Sequence, residues 1–259
     1  MTTRDHAPLG SPCWVDLFSS DTDATRTFYT GLFGWAAEEA SEEFGGYFMF
    51  TRDGVPVAGA MGPMGDMAAT NVWTAYLDSD DLARTLEATT DAGGSVVMGP
   101  MSIADLGSMA VLVDPTGASI GVWQAESFPG FTVLDEPGAP SWFELFTREH
   151  ARAVDFYRTV FGVDVNAVGD SDEFRYSTLL QAGTDVELAG IMDAASFLPE
   201  AEPAHWSVYW EVDDTDAALA RVVELGGLVE ADAIDTPYGR MATALDSTGA
   251  RFKLRRKPD

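Results

Sequence analysis

The chain has 259 residues, 46% of them hydrophobic and 22% charged, enough apolar material for one large core or two medium ones. No apolar run reaches the roughly eighteen residues that span a bilayer, no hydrophobic leader lies between Met1 and Pro12, and the single cysteine, Cys13, rules out an internal disulfide, so a cytoplasmic location and no membrane partner are expected. Fifteen basic residues against 42 acidic ones leave a net charge of −27, which repels phosphate backbones and argues against nucleic acid.

In chain order, Trp14 to Phe18 (WVDLF) has the alternation of a strand and is followed by a helix. Ser20 or Asp21 can cap that helix, and Phe28, Leu32 and Phe33 form its apolar face. Three short strands are predicted around 36–62, with turns at Gly45-Gly46 and Asp53-Gly54. A strand at 72–78 then leads to a helix at 80–91, closed by Gly93-Gly94. Strands near 95–101, 108–113 and 118–123 follow. After a Gly- and Pro-rich linker at 128–140, the second half repeats the order. It has a strand at 142–146, a helix at 150–161, strands to 192, a strand at 206–212, a helix at 214–225 and strands to 255.

The halves are copies of each other. WVDLFSSDTDATRTFY (14–29) aligns with WFELFTREHARAVDFY (142–157), GLFGW with TVFGV, WTAYLDSDD (73–81) with WSVYWEVDD (206–214), and DPTGA (114–118) with DSTGA (246–250). The offset drifts only from 128 to 133, so the chain divides into a domain at 1–127, the linker and a domain at 141–259. Each domain is itself double, which gives an α+β chain of four βαβββ modules.

Three motif pairs carry a resemblance to a known superfamily. They are the FY-x-x-(L/V)-FG helix ends (Phe28 to Gly34, Phe156 to Gly162), the acidic starts of the second helices (Asp80-Asp81, Asp213-Asp214) and the D-(P/S)-T-G hairpins (Asp114 to Gly117, Asp246 to Gly249). In order and spacing the chain resembles the vicinal-oxygen-chelate superfamily of glyoxalases, bleomycin-resistance proteins and extradiol dioxygenases. The resemblance covers nearly all of the chain. It implies curved half-barrel sheets that cup a small ligand, with metal ligands converging from several strands in the metal-dependent members. Carried onto this sequence, those ligand positions fall on Trp14, Thr74 and Gly121 in the first copy, and on Trp142, Ser207 and Lys253 in the second. None is a good ligand for a divalent metal, and one is a cation, so no metal and no other cofactor is expected.

The same positions fix which residues face the cups. Trp14, Asp16, Phe18, Thr74, Tyr76, Asp78, Ser119, Gly121 and Trp123 should point inward in the first copy. Trp142, Glu144, Phe146, Ser207, Tyr209, Glu211, Arg251, Lys253 and Arg255 should do so in the second. Their neighbours Val15, Leu17, Leu77, Phe143, Leu145, Val208, Trp210, Phe252 and Leu254 are apolar, as the opposite face requires. Trp14, Phe18, Tyr76, Trp123, Trp142, Phe146 and Tyr209 are candidate ligand-binding residues, able to stack on a planar or cationic molecule or simply to fill the cups. Asp16, Glu144 and Glu211, with Lys253, are candidate catalytic groups for acid–base work, or a buried ion-pair set. Cys13 is expected to be a buried small apolar group, and Met61, Met64, Met67, Met98, Met101 and Met109 can line a pocket or fill the core.

The first functional expectation is a metal-independent isomerase, cyclase or lyase acting on a small aromatic or polyketide-like metabolite. The alternatives are a non-catalytic antibiotic-binding and resistance protein, or a metal-dependent lyase or dioxygenase with unusual ligands. Because both copies lie in one chain, it should act as a monomeric pseudo-dimer or as a homodimer. The divergent last strands, Ser119-Gly121-Trp123 against Arg251-Lys253-Arg255, predict cups of unequal binding strength.

Overall fold

The computed structural model describes residues 2–63, 65 and 68–258; Met64 and Met67, two of the methionines expected near a pocket, lie outside the described residues. The first copy contains β1 (Thr2–Thr3), β2 (Pro12–Phe18), α1 (Thr22–Phe33), β3 (Ala36–Ala37), β4 (Phe48–Arg52), β5 (Val55–Met61), β6 (Val72–Asp78), α2 (Leu82–Asp91), β7 (Ser95–Ile103), β8 (Gly107–Val113) and β9 (Ser119–Ala125). The linker carries β10 (Val133–Leu134). The second copy follows with β11 (Pro140–Thr147), α3 (His150–Phe161), β12 (Asp164–Asp170), β13 (Arg175–Leu180), β14 (Glu187–Asp193), β15 (His205–Glu211), α4 (Thr215–Glu224), β16 (Leu228–Thr236), β17 (Gly239–Leu245) and β18 (Arg251–Arg256). No helix among the described residues is long and apolar enough to cross a membrane.

Helix starts are set by side-chain caps. Asp21, Asp81 and Asp214 each accept a hydrogen bond from the backbone N–H three residues on, satisfying a donor the helix leaves free. Asp81 and Asp214 therefore stand outside their helices, so α2 and α4 begin slightly later than predicted. Gly34 and Gly162 close α1 and α3 in the left-handed conformation, which a side chain would strain.

Each copy builds its own eight-stranded mixed sheet, in the orders β3-β4-β5-β2-β6-β9-β8-β7 and β12-β13-β14-β11-β15-β18-β17-β16. The two modules of a copy meet where β2 runs antiparallel to β6, and β11 to β15, so every cup forms within one copy. The edge strands of each sheet do not pair with one another, leaving open half-barrels. Register follows the expected faces: Asp16 pairs with Thr74, Trp14 with Tyr76, Glu144 with Ser207, Trp142 with Tyr209, and Tyr209 with Lys253. The opposite faces are buried, with Val15, Leu17, Leu77, Leu145, Trp210, Phe252 and Leu254 fully inaccessible. Cys13 is also fully buried, its thiol against the Tyr76 carbonyl.

Those opposite faces and the helices make one apolar core that runs through both copies. The ring of Phe28 on α1 meets Phe252 on β18 at 6.0 Å, and Trp73 on β6 meets Trp210 on β15 at 5.6 Å. Buried in the same layer, the Tyr157 hydroxyl donates to the Asp114 carboxylate at 2.9 Å, joining the helix of one copy to the hairpin of the other.

Candidate functional site

Both cups are built around four equivalent positions: a tryptophan, a carboxylate and two tyrosines. In the first, the Trp14 indole N–H and the Tyr47 hydroxyl each donate to Oδ1 of Asp16 at 2.7 Å, while the indole N–H also reaches the Tyr47 oxygen at 2.8 Å. Tyr76 lies beside the same carboxylate. In the second, the Tyr209 hydroxyl donates to Oε2 of Glu144 at 2.5 Å, and the Trp142 indole donates to the Tyr176 hydroxyl at 3.0 Å. Tyr47 and Tyr176 were not among the expected residues. Tyr47 stands just before β4 and Tyr176 on β13, 129 residues apart and in YFMF and YSTL, and that correspondence was the available signal.

Space for these tyrosines comes from two glycines. A Cβ on Gly59 would sit 1.9 Å from the Tyr47 hydroxyl, and one on Gly190 would sit 1.9 Å from that of Tyr176. Neither position can carry a side chain without expelling the tyrosine.

Burial raises the pKa of both carboxyls despite these donors. Asp16 is pushed up to about 6 and Glu144 is raised above the ordinary glutamate value, with Tyr209 and Lys253 pulling the other way. Burial drives the tyrosines far upward, so they remain hydrogen-bond donors. Lys253 is held below the usual lysine value by burial, opposed by Glu144.

The cups then diverge. At the Lys253 position the first copy has Gly121, where the Tyr76 ring lies so close that a Cβ would be 2.3 Å from it. The linker also enters the first cup. Phe128 stands edge-on to Trp14 at 4.8 Å and to Trp123 at 6.2 Å, and its carbonyl accepts from the Trp123 indole at 2.9 Å. Trp14 is consequently buried, whereas Trp142 keeps partial access to solvent.

Beside the second carboxylate cluster opens a cavity of about 320 Å³. Lys253, Arg251, Phe146, Phe197, His205 and Thr243 are among its walls. The Lys253 ammonium lies 4.6 Å from the centre of the Phe146 ring and 5.3 Å from that of Tyr209. Glu144 stands behind these groups, not on the cavity wall. Phe18 is partly buried beside the first cluster.

Glu211 is not drawn into the Glu144 cluster. Its carboxylate accepts from the Arg255 guanidinium at 3.2 Å and the Lys257 backbone N–H at 2.9 Å, tying down the C-terminal strand. Its counterpart Asp78 is raised to about 6 by burial, with Arg4 opposing.

No three His, Cys, Asp or Glu side chains converge to hold a metal among the described residues. The positions where the resemblance would place metal ligands hold an indole, a hydroxyl and either glycine or an ammonium, and this donor set does not fit a divalent cation.

Comparison with known proteins fits this architecture. The family model described as the Glyoxalase/Bleomycin resistance protein/Dioxygenase superfamily matches residues 12–122 and 139–254. The anthracycline biosynthesis protein DauV of Streptomyces sp. (strain C5) is 37% identical over 95% of this chain and 92% of its own length. CFP32 of Mycobacterium bovis, provisionally named a glyoxylase, is 37% identical over 98% and 97%. Among solved structures, the Mn(II)-bound glyoxalase from Novosphingobium aromaticivorans superposes with a TM-score of 0.66 at 18% identity, over 97% of this chain and 83% of that one, a likeness of fold.

Proposed function

Because the chain belongs to the Glyoxalase/Bleomycin resistance protein/Dioxygenase superfamily, we propose that its second cup performs acid–base chemistry on a small aromatic, polyketide-like metabolite, without a divalent metal. The reaction would be an isomerisation, cyclisation or elimination in secondary metabolism. The observation that carries this reading is Glu144. It is a buried carboxyl with a raised pKa, bonded to a tyrosine hydroxyl and beside an ammonium, next to an aromatic-walled cavity. Such a carboxylate takes a proton from carbon, the electron pair moves onto a neighbouring carbonyl oxygen, and a nearby donor stabilises that oxygen. Tyr209 and Lys253 are the donors at hand. Returning the proton to a different carbon completes an isomerisation.

The likeness to DauV, named for anthracycline biosynthesis, supports an aromatic polyketide as the substrate class. The single buried cysteine supports a cytoplasmic setting. The core shared by the covalently joined copies supports action as a monomer.

Wild type, Glu144→Gln and Asp16→Asn are to be incubated with aromatic polyketide intermediates, and products followed by chromatography. Glu144→Gln should lower turnover by about 10²- to 10⁴-fold while binding changes little, and Asp16→Asn should keep activity. Full activity in Glu144→Gln would refute the proposal. One observation favours a second reading, a binding and resistance protein: the Tyr209 hydroxyl already occupies Glu144, which stands off the cavity wall. Tight binding by wild type with no product from any intermediate would select that reading.

A further inference from the structure

In an acidic protein most cations are neutralised by a carboxylate, and Lys253 is an exception. The cavity beside it contains Glu202 and Glu230, but Arg251 pairs with both. Lys253 makes no ion pair within 4 Å among the described residues. Among the described residues its ammonium makes one hydrogen bond, a long one of 3.4 Å to the Thr243 hydroxyl, and it rests over the faces of Phe146 and Tyr209. A desolvated ammonium resting on rings is short of acceptors, since it carries three donors. Burial lowers its pKa, the mark of that deficit.

Phe146, Phe197, Leu198 and Pro199 give the cavity an apolar side. Phe197 leaves 57% of its surface exposed, its ring edge-on to Phe146 at 6.3 Å, with Leu198 and Pro199 also on the wall. His205 stacks on Phe146 at 5.5 Å, with its own pKa lowered by burial, so it faces the cavity as a neutral ring. A flat molecule entering here would cover the Phe197 rim and meet Lys253 at the floor.

We propose that the second cup takes a planar aromatic anion, a phenolate or carboxylate, whose charged oxygen is held by Lys253. The ammonium binds and stabilises that oxyanion. The aromatic walls supply stacking. The proposal specifies the substrate class of the reading above and rests on it for the location of the site. It does not depend on Glu144 being catalytic.

The test is calorimetric binding of three probes to the full chain: anthraquinone-2-carboxylate, its neutral carboxamide, and 2-hydroxyanthraquinone, whose visible band reports whether it is bound as the phenolate. Wild type should bind the carboxylate at least about ten-fold tighter than the carboxamide, or bind the hydroxyanthraquinone as its phenolate. The first result identifies a carboxylate site, the second a phenolate site. Lys253→Met should abolish the discrimination while leaving carboxamide affinity within about two-fold, and Lys253→Arg should retain it. An unchanged thermal midpoint in Lys253→Met separates this loss from unfolding. Equal binding of acid and amide together with binding of the hydroxyanthraquinone in its neutral form, anion preference that survives in Lys253→Met, or no binding of any probe at millimolar concentration overturns the proposal. Glu144→Gln distinguishes the two failures: loss of turnover with intact anion discrimination supports both readings, whereas unchanged turnover with intact discrimination rejects the acid–base role alone.

Discussion

Asp16 and Glu144 stand at equivalent strand positions, yet their surroundings differ by a few atoms that matter. Asp16 has an indole and a phenol as donors and no cation acting on it among the described residues. Glu144 has a phenol at 2.5 Å and Lys253 nearby. The raised pKa of Asp16 has a consequence for stability. The folded state holds its proton up to about pH 6, against 3.8 for an ordinary aspartate, so its contribution is full below about pH 4 and is lost as pH rises through 6. Asp78 adds to the same window, with its value also near 6. Asp16→Asn should flatten the fall in urea-unfolding free energy between pH 4 and 6 by about 1–2 kcal/mol, less than the full shift implies because the side chain retains some solvent contact. Parallel pH profiles for wild type and variant would contradict the assignment. At this scale the sequence was only half legible. Carboxylates, tryptophans and Tyr76 and Tyr209 could be placed by the two-residue period of β2, β6, β11 and β15. Tyr47, just before β4, and Tyr176, on β13, sit where no motif fixed the facing. Their pairing with Gly59 and Gly190 appears only when sheet neighbours far apart in sequence are brought together.

Among the elements, the motifs that made the repeat visible turn out to hold the copies together. The aspartate of the first hairpin uses Oδ1 to accept from the Thr116 and Ala118 N–H groups and the Thr116 hydroxyl, which shapes the turn. Its Oδ2 accepts from Tyr157 of the other copy, whose oxygen also accepts from the Trp206 indole. On the opposite side Trp73 donates to Tyr29, which lies beside Asp246. Sequence alone gave these residues no role beyond marking the resemblance, because the Tyr157–Asp114 bond and the approach of Tyr29 to Asp246 cross between copies. Tyr157→Phe leaves a buried carboxylate oxygen and an indole N–H without a partner. It should cost about 1–3 kcal/mol of unfolding free energy and leave unfolding as one transition. A change below about 0.5 kcal/mol would remove this bond from the account. The start of α1 was legible locally, with Asp21 one of its two candidate caps, whereas Asp81 and Asp214 cap α2 and α4 from positions the sequence reading had placed inside the helices.

For the molecule as a whole, duplication has produced two cups with one carboxylate plan and different contents. The first receives Phe128 from the linker between Trp14 and Trp123, and has glycine where the second has Lys253. The N-terminal strand β1 pairs with β10 of the same linker, and Arg4 donates to the Phe131 and Pro12 carbonyls, so the segment that fills the first cup is held at several points. The second cup keeps an open cavity and a solvent-accessible Trp142. The divergent last strands predicted this inequality; the part played by the linker was hidden, because a Gly- and Pro-rich stretch carries no periodicity from which to place its phenylalanines. Localising a ligand tests the assignment of function to the second cup most directly. Crystals of the protein grown with anthraquinone-2-carboxylate should show one molecule per chain, its carboxylate within hydrogen-bond distance of the Lys253 ammonium and its rings against Phe197. Density in the first cup, in both cups, or away from Lys253 would contradict the account.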